Sequence, residues 1–592
     1  MKKKYVRWTL WTIASPFILF IILCILIYLP PIQNFLVDKA AVYASEATGM
    51  NISVGRISLS FPLNLVVTNV DAASPHNDTL LSVRRLQVNV QLLPLLKKQV
   101  EVDGISLQGA TVNSNDLIHG MKLNGTLGEL FISSHGVALD PETAIVNKVL
   151  LKDTDLSLCL NDTAAADTAA SDTTYWKIIL QDIDLQNVSF ALDMPLDSLS
   201  LAASLDNAIL RDGLIDLHKS AYSLQTFRIE NGRVRYDNGK PLAADSLSSG
   251  LDPSHIALTD IGVKLDSLYY EGRNMKAIIS QFVLKERSGV EIVSATGRMV
   301  SNDKVLRVPS LKLETRDSYL ELNAAMDWNA LDFKDEGLVS ARLMADIGKP
   351  DVVRFMGSMD EKFIRQYPSE PLRIRTGIDG DLNKLKLTTL TAELPGALGL
   401  FARGELTHLT DSLLRGGDIT LEAETKDLKF VSTLAEGIEI PYGTRLEGKF
   451  TMAGTKMGTD LLLMQPEAQA VVAADTIPIT VYNDSISVAD DFKMERAARL
   501  FAKYDLSRDR YEADLAVNHF DLHQFMPADS LYTLSTRLKV EGEGFDFFSP
   551  RTYFNAKGGI DRFHYGSYHL TGISLAAGLE KSKVHASLAV KN

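Results

Sequence analysis

From residue 50 almost to the last residue, apolar side chains alternate with polar ones at a period of two, and this alternation restricts the chain to β structure. Ile52, Val54, Ile57 and Leu59 open it, and Gly, Asn, Asp and Ser break it into strand-length pieces. One pattern recurs within it: apolar, any, apolar, two of any, small or branched, any, apolar or Ala. It reads Leu65-Val66-Val67-Thr68-Asn69-Val70-Asp71-Ala72 and Ile105-Ser106-Leu107-Gln108-Gly109-Ala110-Thr111-Val112. Val149-Leu150-Leu151-Lys152-Asp153-Thr154-Asp155-Leu156 follows, then Ile183-Asp184-Leu185-Gln186-Asn187-Val188-Ser189-Phe190 and Phe227-Arg228-Ile229-Glu230-Asn231-Gly232-Arg233-Val234. Successive copies start about 34 to 44 residues apart, the spacing of a structural repeat. The two-residue interruption shifts the alternation by one, as a bulge does, so it bends the strand or re-aims its apolar side chains.

The later part carries a second unit. Asp351-Val352-Val353-Arg354-Phe355 reads as the start of a short helix, and Ile374, Gly377, Ile378 and Gly380 as a glycine-marked strand. The order returns with Asp427-Leu428-Lys429-Phe430 before Phe450-Thr451-Met452-Ala453-Gly454. It returns again with Asp521-Leu522-His523-Gln524-Phe525 before Leu538-Lys539-Val540-Glu541-Gly542-Glu543-Gly544. Hairpins are expected from Leu311 and Leu313 across Glu314 to Ser318 into Leu320 and Leu322. Another runs from Leu500, Ala502, Tyr504 and Leu506 across Ser507 to Arg510 into Tyr511, Ala513, Leu515 and Val517. Stacked strands of this kind make a solenoid or an elongated sheet, and roughly 30 of them would extend about 150 Å. A sheet apolar on one face must cover that face, close on itself or give it to a ligand, and helices here supply only a few short lids. A curved sheet holding acyl chains in an apolar groove meets the requirement; a solenoid with its own packed core is the alternative.

Trp8 to Leu29 contains no charged residue and gives about 33 Å of helix, enough to cross a bilayer. Pro16 lies near its start, where local adjustment absorbs a missing hydrogen bond. Lys2, Lys3, Lys4 and Arg7 precede it, so the N-terminus is expected in the cytoplasm and the remainder exported. A cleaved signal peptide would have a shorter apolar region and a small-residue cleavage site, where this chain has Leu29-Pro30-Pro31-Ile32-Gln33. Ile32, Phe35, Leu36, Ala40, Tyr43 and Ala47 recur at helical spacing up to Gly49, an amphipathic exit helix that packs on the first strands in preference to lying in the lipid interface. Cys24 and Cys159 are the only cysteines, so no useful disulfide forms. The net charge of -13, with no cluster of Lys and Arg after residue 7, argues against nucleic acid as a partner.

Residues 161 to 174 hold nothing apolar larger than Ala and read as a disordered loop. Asp followed by Ser or Thr and then Ala, Leu, Ile or Thr recurs through the chain, more often than composition predicts. The triplet resembles the acceptor of a bacterial periplasmic O-glycosylation system, with Thr79, Thr163, Thr168 and Ser198 as candidate sites. The competing explanation is that Asp and Ser form turns before strands.

Chemistry is sparse. His519 and His523 stand four apart, with His564 and His569 beyond, but neither pair is followed by the Glu of a hydrolytic zinc site, and His519 falls where a strand should still run. No nucleophile elbow, phosphate-binding glycine loop or Cys-x-x-Cys pair is present. Gly377-Ile378-Asp379-Gly380 lacks a Lys and a following helix pattern, so strand punctuation suits it best. No catalytic residue, metal or cofactor is expected.

With anchor, exit helix and repeats in place, Ala47-Thr48-Gly49-Met50-Asn51-Ile52-Ser53-Val54-Gly55-Arg56-Ile57 resembles the start of AsmA-like and TamB-like proteins, whose anchor helix leads into such a strand and then into copies of the apolar pattern. The resemblance is architectural over nearly the whole chain. It implies a mainly β fold: a transmembrane anchor (residues 1–30), an exit helix (31–49), AsmA-like β repeats (50–240) and further β-groove repeats (241–592). It also implies an inner-membrane protein, with its bulk in the periplasm, that conducts phospholipids toward the outer membrane. TamB members are further linked to outer-membrane protein assembly and protein secretion, which implies a tether to an outer-membrane β-barrel partner. The chain stops at Leu588-Ala589-Val590-Lys591-Asn592 without the C-terminal domain characteristic of TamB proteins, so a truncated chain is expected. Candidate groove residues are Leu65, Val67, Ile105, Leu107, Ile183, Leu185, Phe227 and Ile229. An assembly tether and an exported enzyme are the competing functions.

Overall fold

A computed structural model of the chain describes residues 39 to 590 apart from 40, 43–44, 46–49, 61–63, 75–78, 91–101, 115–120, 139–141, 162–174, 241–249, 334–336, 357–359, 435–436, 466–479, 483–484, 488–495, 547, 550 and 582. The fold is mainly β. It divides into two compact units, residues 1–246 with 251–291 and residues 247–250 with 292–592. The first unit extends past residue 250 because the strands after it pair back onto those before it.

In the first unit β1 (Asn51–Ser60), β2 (Asn64–Ala73), β3 (Thr79–Val90), β4 (Val102–Asn113), β5 (Met121–Ala138) and β6 (Thr143–Leu160) form an antiparallel ladder in chain order. β7 (Lys177–Met194) then joins β6 in parallel, so Leu160 and Lys177 stand at opposite ends of the pair. The loop expected over 161–174 falls almost wholly outside the described residues. β8 (Leu199–Asp216), the four-residue β9 (Ala221–Leu224), β10 (Thr226–Asp237), β11 (His255–Glu271) and β12 (Asn274–Glu286) resume antiparallel pairing.

The interruption in the repeat has a definite conformation. Its fifth residue is left-handed in all five copies: Asn69 (φ 51), Gly109 (φ 62), Asp153 (φ 49), Asn187 (φ 51) and Asn231 (φ 54). Asn, Asp and Gly tolerate positive φ best, which explains their choice there. The residue reverses the pleat. Lys152 and Asp153 both face solvent and Thr154 is buried, and Thr259, Asp260 (φ 52) and Ile261 repeat the order in β11. Apolar side chains on both sides of the interruption therefore share one face. Side-chain bonds tie these positions to neighbouring strands: Asn187 Nδ2 donates to Asp153 Oδ1 at 2.9 Å, two left-handed residues side by side, and Asn231 donates to Asp206, whose own backbone is not left-handed.

The second unit opens with β13 (Glu291–Ser301), β14 (Val305–Thr315) and β15 (Tyr319–Asp327), followed by helix α1 (Trp328–Leu331) and β16 (Leu338–Ile347). Helices α2 (Lys349–Phe355) and α3 (Glu361–Gln366) lead into β17 (Leu372–Asp381), β18 (Lys384–Leu394), β19 (Leu398–Thr407), β20 (Gly416–Thr425), β21 (Arg445–Ala453) and β22 (Lys456–Gln465). A small hairpin, β23 (Thr480–Tyr482) and β24 (Ser485–Ser487), lies beside β19 and β20. β25 (Arg496–Asp505), β26 (Arg510–Asp521), β27 (Leu531–Glu543), β28 (Tyr553–Tyr565), β29 (Tyr568–Glu580) and β30 (Lys583–Val590) complete it. Both expected hairpins are present, with Leu313 opposite Leu320 and Leu500 opposite Leu515.

The Asp-led segments sit at strand ends. Asp351 lies in α2, 1% exposed, and accepts from the Thr315 and Ser318 hydroxyls and from Arg354 Nη1 at 3.0 Å. Asp427 and Asp521 precede single 3-10 turns, Val431–Thr433 and Leu522–Gln524, in place of full helices. Phe363 of α3, with Tyr367, packs on Leu394, Ala397, Leu428 and Phe430, so the first two of these segments share one core.

The anchor expected over residues 8–29 lies outside the described residues, and among those described no helix is long and apolar enough to cross a membrane. Of the exit helix, Lys39, Ala41, Val42 and Ser45 are described as helical. Ser45 Oγ accepts the Ile52 N–H at 3.0 Å, tying this segment to β1.

Candidate functional site

The eight apolar residues singled out in the repeats come together. In the register of the first unit, Leu65 lies beside Val88, then Ile105, Ile132, Val149, Ile183, Leu210, Phe227, Leu265 and Ile279. Two positions along each strand from β2 to β11 a second row runs Val67, Leu86, Leu107, Leu130, Leu151, Leu185, Ala208, Ile229 and Val263, and Phe282 of β12 continues it. Cross-strand neighbours point to the same side and side chains two apart share a face, so the two rows are one apolar surface. Leu59 and Ile57 extend it onto β1. At about 4.8 Å per strand, the rows cover roughly 48 Å. The parallel pair leaves both unbroken, because the step from Val149 to Ile183 and from Leu151 to Leu185 keeps the phase of the pleat.

The opposite face is polar beside the second row. Arg56, Thr68, Arg85, Gln108, Glu129, Lys152, Gln186, Asn207 and Glu230 are neighbours in that order, one residue from the apolar row on each strand. Further polar contacts join these strands: Ser82 Oγ donates to Asp71 at 2.6 Å, and Arg211 Nη2 bonds Asp184 at 2.9 Å.

The second unit repeats the arrangement. One row passes from Leu313 through Leu320, Ala345, Ile374, Ala392, Leu400, Ala423, Leu446, Leu463, Ala498 and Val517 to Thr536, Ile560 and Ile573. Beside it, Leu421, Gly448, Leu461, Leu500, Leu515, Leu538, Gly558 and Leu575 follow one another. The glycines make room for their neighbours: a Cβ at Gly448 would meet Leu461 Cδ2 at 3.0 Å, and one at Gly558 would meet Leu538 Cδ1 at 3.1 Å.

Most of these row side chains are half-buried, and Ile105 is exposed. The described elements other than the long strands are α1 to α3, a few isolated helical residues before β1, three 3-10 turns, β9 and the β23–β24 hairpin, all too short to form a second layer over the rows. What the face can do chemically is limited to holding apolar groups.

The other candidates fall elsewhere. Thr79 begins β3, exposed, and Ser198 follows a 3-10 turn with φ 53, also exposed; Thr163 and Thr168 lie outside the described residues. His523, Tyr532, His564 and His569 stack as successive rings with centroids 4.8, 4.7 and 4.1 Å apart, so their nitrogens do not converge. His519 interrupts β26 with φ 45, and among the described residues no three His, Cys, Asp or Glu side chains gather as metal ligands would. Gly377 and Gly380 lie within β17. The sequence missed the second unit's rows; their signal was Leu alternating with Ala or Gly across successive hairpins. Neither a protein-family model nor a characterised protein sequence matches this chain.

Proposed function

We propose that this chain is a bridge-like conductor of phospholipids, carrying their acyl chains along an apolar β-groove between the inner and outer membranes, with a membrane anchor at residues 8–29. The observation that carries the reading is the succession of almost wholly apolar neighbours from strand to strand in each unit, with too little other structure among the described residues to cover them. A sheet face of this kind needs a covering, and an acyl chain supplies one at every position without requiring a particular side chain. The groove residues are Leu65, Val67, Ile105, Leu107, Ile183, Leu185, Phe227 and Ile229, and none of them acts chemically. The alternative is an assembly factor for outer-membrane proteins and secretion that tethers to an outer-membrane barrel by strand pairing.

Native mass spectrometry with lipid extraction on the full-length chain, purified in mild detergent and then freed of it, separates the two. Several phospholipids retained per chain are expected. A lipid-free protein that crosslinks to barrel strands overturns the conductor reading in favour of the tether.

A further inference from the structure

A second apolar feature lies away from the rows, on the loops at one end of the second unit's strands. Ala330 of α1 packs with Leu382 and Leu409. The Leu409 N–H then donates to the Leu382 carbonyl at 2.8 Å, Gly454 to Arg415 at 2.6 Å, Leu506 to Thr455 at 2.9 Å and Gly544 to Asp509 at 3.0 Å. Consecutive loops are thereby joined into one rim. At two strands per loop they stand about 10 Å apart. Phe333, Leu413, Leu414, Leu506, Phe545 and Phe548 project from it into solvent, Leu413 76% and Phe548 93% exposed.

Beside the tips, the ends of β21, β22, β25 and β26 border a recess of about 460 Å³ whose lining includes four cations, Lys456, Lys503, Arg508 and Arg510, and two acids, Asp505 and Glu512. The acids nearby are engaged locally. Asp411 accepts the Leu413 N–H at 2.8 Å, and Asp546 the Phe548 N–H at 3.1 Å. Asp505 takes the Ser507 hydroxyl at 2.6 Å and the Thr455 hydroxyl at 2.9 Å; Asp509 takes the Tyr504 hydroxyl at 2.8 Å. Glu512 pairs with Lys539 at 3.2 Å. Lys456 stands opposite Asp505 across the strand pair and, behind the Ser507 and Thr455 hydrogen bonds, helps hold that carboxyl below its ordinary range, without an ion pair inside 4 Å; Arg508 and Arg510 likewise have no carboxylate within 4 Å among the described residues.

We propose that this rim seats on a lipid bilayer, with the apolar tips below the headgroups and these cations against lipid phosphates. Large side chains standing singly or in pairs on loops about 10 to 20 Å apart suit a fluid surface that admits each group separately, whereas a protein partner would need a continuous packed patch. Cations beside apolar tips match the layering of an anionic leaflet, phosphate outside and hydrocarbon within. The proposal does not depend on lipid conduction.

The test holds full-length protein in nanodiscs and measures co-flotation with acceptor vesicles of phosphatidylcholine, alone or with phosphatidylglycerol. Wild type floats with both and binds the anionic vesicles more tightly. L413D and F548D each weaken binding to both vesicles about 10-fold or more. K456E with R508E removes only the anionic preference. These positions are exposed, and an unchanged circular dichroism spectrum checks their folding. Absence of flotation, or binding indifferent to L413D and F548D, overturns the proposal; lipid retention in the groove is read separately, so either idea can fail alone.

Discussion

Single residues decide whether a strand keeps its apolar side chains on one face. Asn187 sits at φ 51, where an amide side chain is tolerated and a β-branched one is not. Asn187→Val should lower stability by about 1–2 kcal/mol, while Asn187→Gly should be nearly neutral apart from its lost bond to Asp153; unfolding midpoints of the two variants check this, and equal losses would refute the role given to the backbone. Glu424 offers a second test. Burial pushes its carboxyl above the ordinary range, outweighing Arg445, which stands 3.6 Å away. An acid whose folded pKa is raised adds stability below its unfolded value, near 4.5, and loses it as pH rises through the folded one. Glu424→Gln should therefore raise the unfolding midpoint at neutral pH, with the gain shrinking toward about pH 4.5. A gain that grows on acidification would mean that the Arg445 pair dominates.

Elements inherit their order from these residues. The repeat was legible from its apolar positions, whereas its fifth position, left open by the pattern, is restricted by a left-handed backbone that only the structure reveals; both expected hairpins were legible from alternation broken by polar turns. The parallel β6–β7 pair was not, because a period of two is the same whichever way a strand runs. Nor was the reach of the helical caps. Asp351 opens a true helix, but the Asp427 and Asp521 segments form one 3-10 turn each, since neither is followed by enough chain with helical periodicity. The cap around Phe363 is nonetheless a packed core: the ring is 2% exposed and meets Phe430 edge-on at 5.6 Å. Phe363→Ala should destabilise it by about 3–4 kcal/mol and raise hydrogen exchange over residues 361–366 and 428–433 together. Exchange confined to α3 would show that the two segments are not one unit.

For the whole molecule, the face on which any one strand carries its apolar row could not be read from its sequence, because each left-handed residue resets the pleat. The first-unit repeats carry the reset at matching positions, so the faces align and the eight chosen residues fall into two adjacent rows. Continuity of such rows makes a specific demand on lipid conduction. Positions in series along one row fail together: under the conductor reading, one charge placed at Leu107 or at Leu185 of the first unit should stop flux almost completely, although each removes only the local share of bound lipid. A protein that merely stores lipid would lose capacity in proportion to the positions changed. Leu107→Glu and Leu185→Glu, compared for transfer between vesicles and for lipid retained per chain, distinguish these cases. Transfer abolished by either variant with most lipid retained is expected. Transfer that falls only as far as occupancy falls would mean that the rows bind lipid without conducting it.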